Sequence, residues 1–393
     1  MSYAIGVIAF VVALLTSVML HEAGHFLTAK RYGMKATRFF VGFGPTLWST
    51  RRGETEYGVK AIPAGGFVKI VGMTPLEELE PGDEDRAFYK QPPGQRLVVL
   101  AAGSVIHLLL AVFLLFAIIA SYGDPLHSRP VPVVDSTTAC VITHPKHTAC
   151  GPGDPVAPAR GVLRGGDRIT AIDGHRVASY NDVTRALQAN PGRLVTMTVI
   201  RSGHPVRVQL TPVPVPDGKK TIGRVGFYPR VDPVDVGVGA AVPRTFATIG
   251  TLFTSTVHAL GDLPHQISEI IHDQPRDNGA AGVVDIAKIS GQIAQAHISI
   301  GARVANFLLI VAQVNFFVGI FNLLPLLPLD GGHIGILLFE EGRRKVYRLL
   351  RRPAPGRVDL MKIMPVTYAV VAVFVGLSLL LLYAGIVNPI RIQ

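Results

Sequence analysis

The sequence predicts a polytopic α-helical membrane protein of about four transmembrane helices, with a membrane-associated β-hairpin and one β-rich extracytoplasmic domain. Three observations carry that expectation. Of its 393 residues, 49% are hydrophobic, and the mean hydropathy is positive; such a chain is too apolar for an ordinary soluble protein and too long for a single span. Four stretches approach the ~20 apolar residues needed to cross a bilayer. The basic residues behind the net charge of +11 gather beside those stretches and not along one soluble face, so the charge reflects membrane topology, and no nucleic-acid partner is expected.

The first span, residues 1–30, is the most informative. Its run from Ile5 to Leu20 has no charge, and it ends in His21-Glu22-Ala23-Gly24-His25. Histidines at i and i+4 share one helix face, where both imidazoles reach one metal ion, and Glu22 between them can take a proton from water that the metal activates. Ionisable groups at membrane depth are costly and mark function. A secretory signal is not expected here, because the basic n-region and the small-residue cleavage site are missing.

Residues 31–96 form the next loop. Lys30, Arg31, Lys35, Arg38, Arg51 and Arg52 lie in or just before it and nothing basic precedes the first span, which puts this loop in the cytoplasm and the amino terminus outside. Tyr57 to Ile70 places β-branched and aromatic residues around Pro63, Gly65 and Gly66, and reads as short strands with a turn. Met73 to Asp85 is an acidic, proline-containing solvated loop. The second span, 97–121, carries Gly103-Ser104-Val105-Ile106-His107 and leads outward.

Residues 122–235 are the outer module. Both cysteines, Cys140 and Cys150, precede its core, and an even pair in an oxidising compartment suggests a disulfide. His144 and His147 between them leave a Cys-His-His-Cys metal site as the alternative, though its spacing is unlike common zinc patterns. Residues 236–299 mix apolar residues with His258, His265, Glu269 and Asp273, so an extracytoplasmic or interfacial helical segment is expected. The third span region, 300–333, returns inward and ends in Asn322-Leu323-Leu324-Pro325-Leu326-Leu327-Pro328-Leu329-Asp330-Gly331-Gly332-His333. A basic cytoplasmic loop, 334–361, contains Arg343, Arg344, Lys345, Arg348, Arg351, Arg352 and Arg357, and the last span is 362–387.

A catalytic zinc takes three protein ligands and keeps one position for water. His21 and His25 supply two. The strongest candidate for the third is Asp330, the only carboxylate in the third span region, and geometry supports it: spans one and three both run inward and end at similar depth near the cytoplasmic face. His333 is read as structural, because a fourth ligand would close the water position.

The paired motifs, H-E-x-x-H and N-x-x-P-x-x-P-L-D-G, resemble those of the site-2 proteases, a family of intramembrane zinc metalloproteases, in its bacterial PDZ-containing branch. That resemblance covers nearly the whole chain. It implies one Zn2+ held by His21, His25 and Asp330, with Glu22 as general base and Asn322 beside the site, its amide holding substrate or oxyanion. It also implies that Gly65 and Gly66 lie in a membrane-re-entrant hairpin whose edge strand holds substrate extended. Ser104 and His107 depart from the G-P-x-x-N of many relatives; His107 either takes over the asparagine's hydrogen bond or is satisfied within a helix interface. Pro158 to Gly174 resembles a PDZ domain, for which ligand binding and size exclusion stand level. The implied function is cleavage of single-span membrane proteins in a bacterial plasma membrane, with anti-sigma factors suggested by the family. A catalytically inactive PDZ scaffold is the alternative, and a zinc transporter a third reading; the intact charge set in lipid and the additional Glu22 count against them.

Overall fold

The structure, a computed structural model, describes residues 2–73, 77, 79–143, 150–217, 220–271, 281–296, 298–353, 355–356 and 358–387. It separates into two compact units, Gly123–Asp235 and Met1–Tyr122 with Val236–Gln393. His144 and His147 lie outside the described residues, whereas Cys140 and Cys150 are bridged, with Cα atoms 5.9 Å apart.

In the larger unit, α1 (Ser2–Arg31) ends in Lys30 and Arg31, whose charges oppose the carbonyl end of the helix dipole. Gly33 follows at φ +76, a left-handed position that suits glycine and stops the helix. Strands β1 (Ala36–Arg52) and β2 (Thr55–Ile70) then build more than a simple hairpin. Residues 38–41 pair antiparallel with 66–69, from Arg38 opposite Lys69 to Val41 opposite Gly66. The same residues pair on their other side with 56–59, from Arg38 opposite Glu56 to Val41 opposite Val59. Both long strands therefore fold over at Gly42–Pro45 and at Pro63–Gly66, where prolines cannot continue a ladder. This corrects the single turn expected from the sequence: residues 66–70 become an outer edge, and 46–52 pair with 55–60 on the far side.

An ionic knot pins this sheet to the helix end. Glu54 accepts from Lys30 at 2.5 Å and from both terminal nitrogens of Arg86 at 2.7 and 2.9 Å. The Arg86 guanidinium, with Lys30 beside it, holds the Glu54 carboxyl down at about 2. A carboxylate whose folded pKa is depressed stabilises the fold above its unfolded pKa near 4.5, and that contribution disappears as pH falls through about 2. Because Arg86 is 41% exposed, solvent screens the knot, and about 1 kcal/mol is expected. Thermal unfolding of wild type and Glu54→Gln should accordingly differ at pH 7 and converge toward pH 2; an equal gap at both pH values would refute this.

Helix α2 (Pro93–Ser121) starts with proline in its first turn, where the missing amide is harmless. After the second unit come α4 (Gly237–Gly261), α5 (Leu263–Ile271) and α6 (Val283–Gln295). Helix α4 buries Ala241, Thr245 and Thr248 and packs on α2. Helix α6 packs on α1, with Gly6 against Ser290 and Gly291 against Tyr3. Neither is among the four helices that, among the described residues, are long and apolar enough to cross a membrane: α1, α2, α7 (Ile300–Asn322) and the Met361–Val387 portion of α9 (Leu360–Val387).

Two boundaries differ from the sequence expectation. The 300–333 region is not one helix: α7 stops at Asn322, and α8 (Asp330–Leu349) begins at Asp330. Pro325 and Pro328 cannot donate the i to i−4 hydrogen bonds of a continued helix. Gly331 and Gly332 let α8 start against the backbone of Leu323–Leu327; a Cβ on Gly332 would meet Leu327 N at 2.6 Å. Most of the expected 334–361 loop is therefore helix.

The smaller unit contains β3 (Asp124–Thr137), β4 (Arg168–Ile172), β5 (His175–Arg176), α3 (Tyr180–Gln188), β6 (Val195–Arg201), β7 (His204–Leu210), β8 (Val213–Asp217), β9 (Lys220–Arg224) and β10 (Phe227–Val234). Its main sheet runs β10-β3-β4-β6-β7, with β5 on β4, and β8 pairs with β9. Alternate residues of β6, Val195, Met197 and Val199, are fully buried with Ile169, Val183 and Leu187. That period-2 burial is what a sheet with one covered face requires. Ser179 caps α3 through a reciprocal capping box with Asp182. Asp167, 1% exposed at its side chain, is paired by Arg201 at 2.7 Å.

Candidate metal centre

The last turns of α1 place His21 and His25 on one face, as the i, i+4 spacing dictates, and both are 8% exposed. Their Nε2 atoms are 3.1 Å apart. Asp330 Oδ2, from the first residue of α8, lies 3.3 Å from His21 Nε2 and 3.4 Å from His25 Nε2. Among the described residues this is the one His/Cys/Asp/Glu group compact enough to hold a metal, with all ligand atoms within 4.8 Å of one another.

The hydrogen bonds fit a cation. His25 Nδ1 sits 2.7 Å from the carbonyl oxygen of Val99, so Nδ1–H donates and Nε2 keeps its lone pair. That lone pair faces a second imidazole nitrogen and a carboxylate oxygen, and Asp330 Oδ2 is buried without a hydrogen-bond donor. Three electron-rich atoms at contact repel unless positive charge sits among them. Two imidazoles and one carboxylate also match the donor set of catalytic zinc.

Glu22 is not part of this cluster. Its Oε2 accepts a 3.1 Å hydrogen bond from the backbone N–H of Val68, on the outer edge of the sheet. The edge strand thus runs over the helix turn that carries the site; Gly66, at its start, lies so close to α1 that a Cβ would meet Met19 Sδ at 2.6 Å. Gly65, at φ +138, adopts a backbone conformation that other residues avoid.

Helix α2 closes the back of the site through Gly103. A Cβ there would stand 2.5 Å from His21 Cε1 and 2.5 Å from His25 Nε2. One turn further along, the His107 ring lies 5.0 Å from the His21 ring. His107 Nδ1 is 2.7 Å from Asn315 Oδ1 of α7, and Asn315 Nδ2 donates to Ser17 Oγ and to the Val311 carbonyl. Because the amide nitrogen is committed to those acceptors, Oδ1 is the acceptor for His107 Nδ1–H. A buried polar chain therefore ties α1, α7 and α2 together directly behind His21. The His107 side chain is therefore satisfied within a helix interface, with its ring beside that of His21.

Asn322, expected beside the site, ends α7 half-buried. The buried carboxamide at the site is Asn315, two turns earlier, which sequence reasoning missed together with Ser17. The available signal was a pair of polar residues one or two turns from the motifs in otherwise apolar helices. His333 lines a small cavity with Met73, Arg96 and Glu340 and does not join the cluster. His107→Phe is expected to strand the Asn315 acceptor at a cost of about 1–3 kcal/mol, read as a lower melting temperature of the metal-free protein. An unchanged melting temperature would mean the chain contributes nothing.

A buried two-histidine, one-carboxylate centre with a separate glutamate at hand, set among membrane-spanning helices, defines a membrane metallohydrolase. Residues 9–353 match peptidase family M50, and the chain belongs to that family: it is an intramembrane zinc metalloprotease. Zinc metalloprotease Rip1 of Mycobacterium tuberculosis is 40% identical to it over 411 aligned residues that cover both chains in full. The regulator of sigma-W protease RasP of Bacillus subtilis is 27% identical across 86% of this chain and 90% of its own. The regulator of sigma-E protease RseP of Escherichia coli is 28% identical across 85% and 90%.

Proposed function

We propose that the chain cuts the transmembrane segments of single-span membrane proteins, anti-sigma factors among them, after another protease has removed their outer domain. The observation that carries this reading is the edge strand 66–70 laid against Glu22. A transmembrane helix hides its amide bonds, so it must be unwound before cleavage. An unpaired strand edge holds an unwound peptide by backbone hydrogen bonds. The names of the sigma-E and sigma-W regulators support the anti-sigma class of substrate.

In this reading His21, His25 and Asp330 hold the zinc, which when bound polarises the scissile carbonyl and acidifies water. Glu22 takes the proton from the attacking water and passes it to the leaving nitrogen. Asn315, through His107, holds the back of the site in place. The unit Gly123–Asp235 is the outer PDZ domain, the hairpin re-enters the membrane from the cytoplasmic side, and the amino terminus faces outward; the basic residues flanking α1 and those of α8 support that orientation.

The test is reconstitution with a single-span substrate carrying either a short or a bulky outer segment, followed by mass mapping of products. A cut inside the apolar segment, faster for the short form, is expected. Cleavage only in soluble loops would overturn the reading.

A further inference from the structure

Helix α8 carries a surface that the metal site does not use. Leu338, Phe339, Val346, Leu349 and Leu350 are 55%, 61%, 53%, 84% and 57% exposed. At 3.6 residues per turn they fall within about 120° of the helix circumference, one apolar stripe. Lys345 and Arg348 beside the stripe, and Arg351 and Arg352 just past the helix end, are exposed. Neither acidic residue of α8's second half is free to neutralise them: Glu341 pairs with Arg344 at 2.7 Å, and Glu340 is buried and accepts from the Val358 amide.

We infer that α8 is an interfacial helix that binds the anionic phospholipid headgroups of the adjoining leaflet, and that this contact sets the position of Asp330. An exposed apolar stripe flanked by unpaired cations is the pattern that lies in a bilayer surface, stripe among the acyl chains and ammonium or guanidinium groups at the phosphates. A soluble phosphate or acidic protein would meet the cations and leave the stripe in water, so the charge and the apolar face together select lipid. Asp330 is the first residue of the same helix, and Gly331 and Gly332 pack without clearance against Leu323–Leu327. A shift of α8 at the membrane surface is therefore carried to the carboxylate. The second half of this inference rests on Asp330 as a metal ligand; the first half does not.

The full-length protein, reconstituted in phosphatidylcholine alone or mixed with phosphatidylglycerol, is tested without substrate. Two quantities are read: phosphatidylglycerol retained on the protein after mild extraction, and the rate of zinc loss to excess chelator. Retention of the anionic lipid and slower zinc loss in its presence are expected. Combining K345Q, R348Q, R351Q and R352Q should lower retention by roughly fivefold per cation removed and bring zinc loss to the phosphatidylcholine rate. Leu349→Glu, at a position 84% exposed, should act in the same direction without touching a cation. Equal retention by wild type and the four-site variant, or zinc loss identical in the two lipids, overturns the inference. Since neither readout involves cleavage, failure of the substrate reading leaves this result standing.

Discussion

Glu22→Gln is expected to lower cleavage of a reconstituted single-span substrate by about 10²–10⁴-fold, the range for removing a positioned general base. Its zinc content should stay at the wild-type level, because Glu22 stands outside the His21, His25 and Asp330 group that can hold a metal. Glutamine keeps an oxygen that can accept from the Val68 amide, now at 3.1 Å from the carboxylate, so the edge strand stays in place. The amide differs in one respect that matters, since it does not take up a proton at neutral pH. Equal cleavage by both proteins would remove Glu22 from the reaction, and lost zinc would make it part of the binding site.

Gly103→Ala is the second large effect. It adds one methyl group on a helix that contributes no ligand. That methyl needs the space 2.5 Å from both His21 Cε1 and His25 Nε2, well inside van der Waals contact. Neither ring can retreat freely, because His25 is held by Val99 and His21 lies against His107. Zinc affinity should fall at least as far as when a metal's supporting shell is disturbed, about 10–100-fold, and cleavage should fall with it. Alanine is the better helix former, so the helix itself should not suffer; far-ultraviolet circular dichroism separates the two effects. Wild-type zinc affinity in this variant would show that α2 does not press on the site.

The spans and the meeting of His21, His25 and Asp330 were legible because each rests on a periodic or sparse signal. Twenty apolar residues in a row, two histidines four apart and one carboxylate in an apolar region leave few arrangements. The break between α7 and α8 was half legible: Pro325 and Pro328 cannot continue a helix, but the restart of a helix at Asp330 depends on glycines whose reason is a neighbour's backbone. The double pairing of residues 38–41 was not legible, since strand periodicity does not say which half of β2 lies on which side. His107 and Asn315 are separated by 208 positions, and nothing local in either helix announces the partner.

The centre is assembled from opposite ends of the chain. His21 and His25 lie in the first helix, and Asp330 opens the eighth. A ribosome feeding this chain into the membrane therefore delivers the two imidazoles at the start and the carboxylate only after the β1–β2 sheet, the Gly123–Asp235 unit and two further spans have been made. Until then a nascent or truncated chain holds an imidazole pair with no carboxylate to complete it.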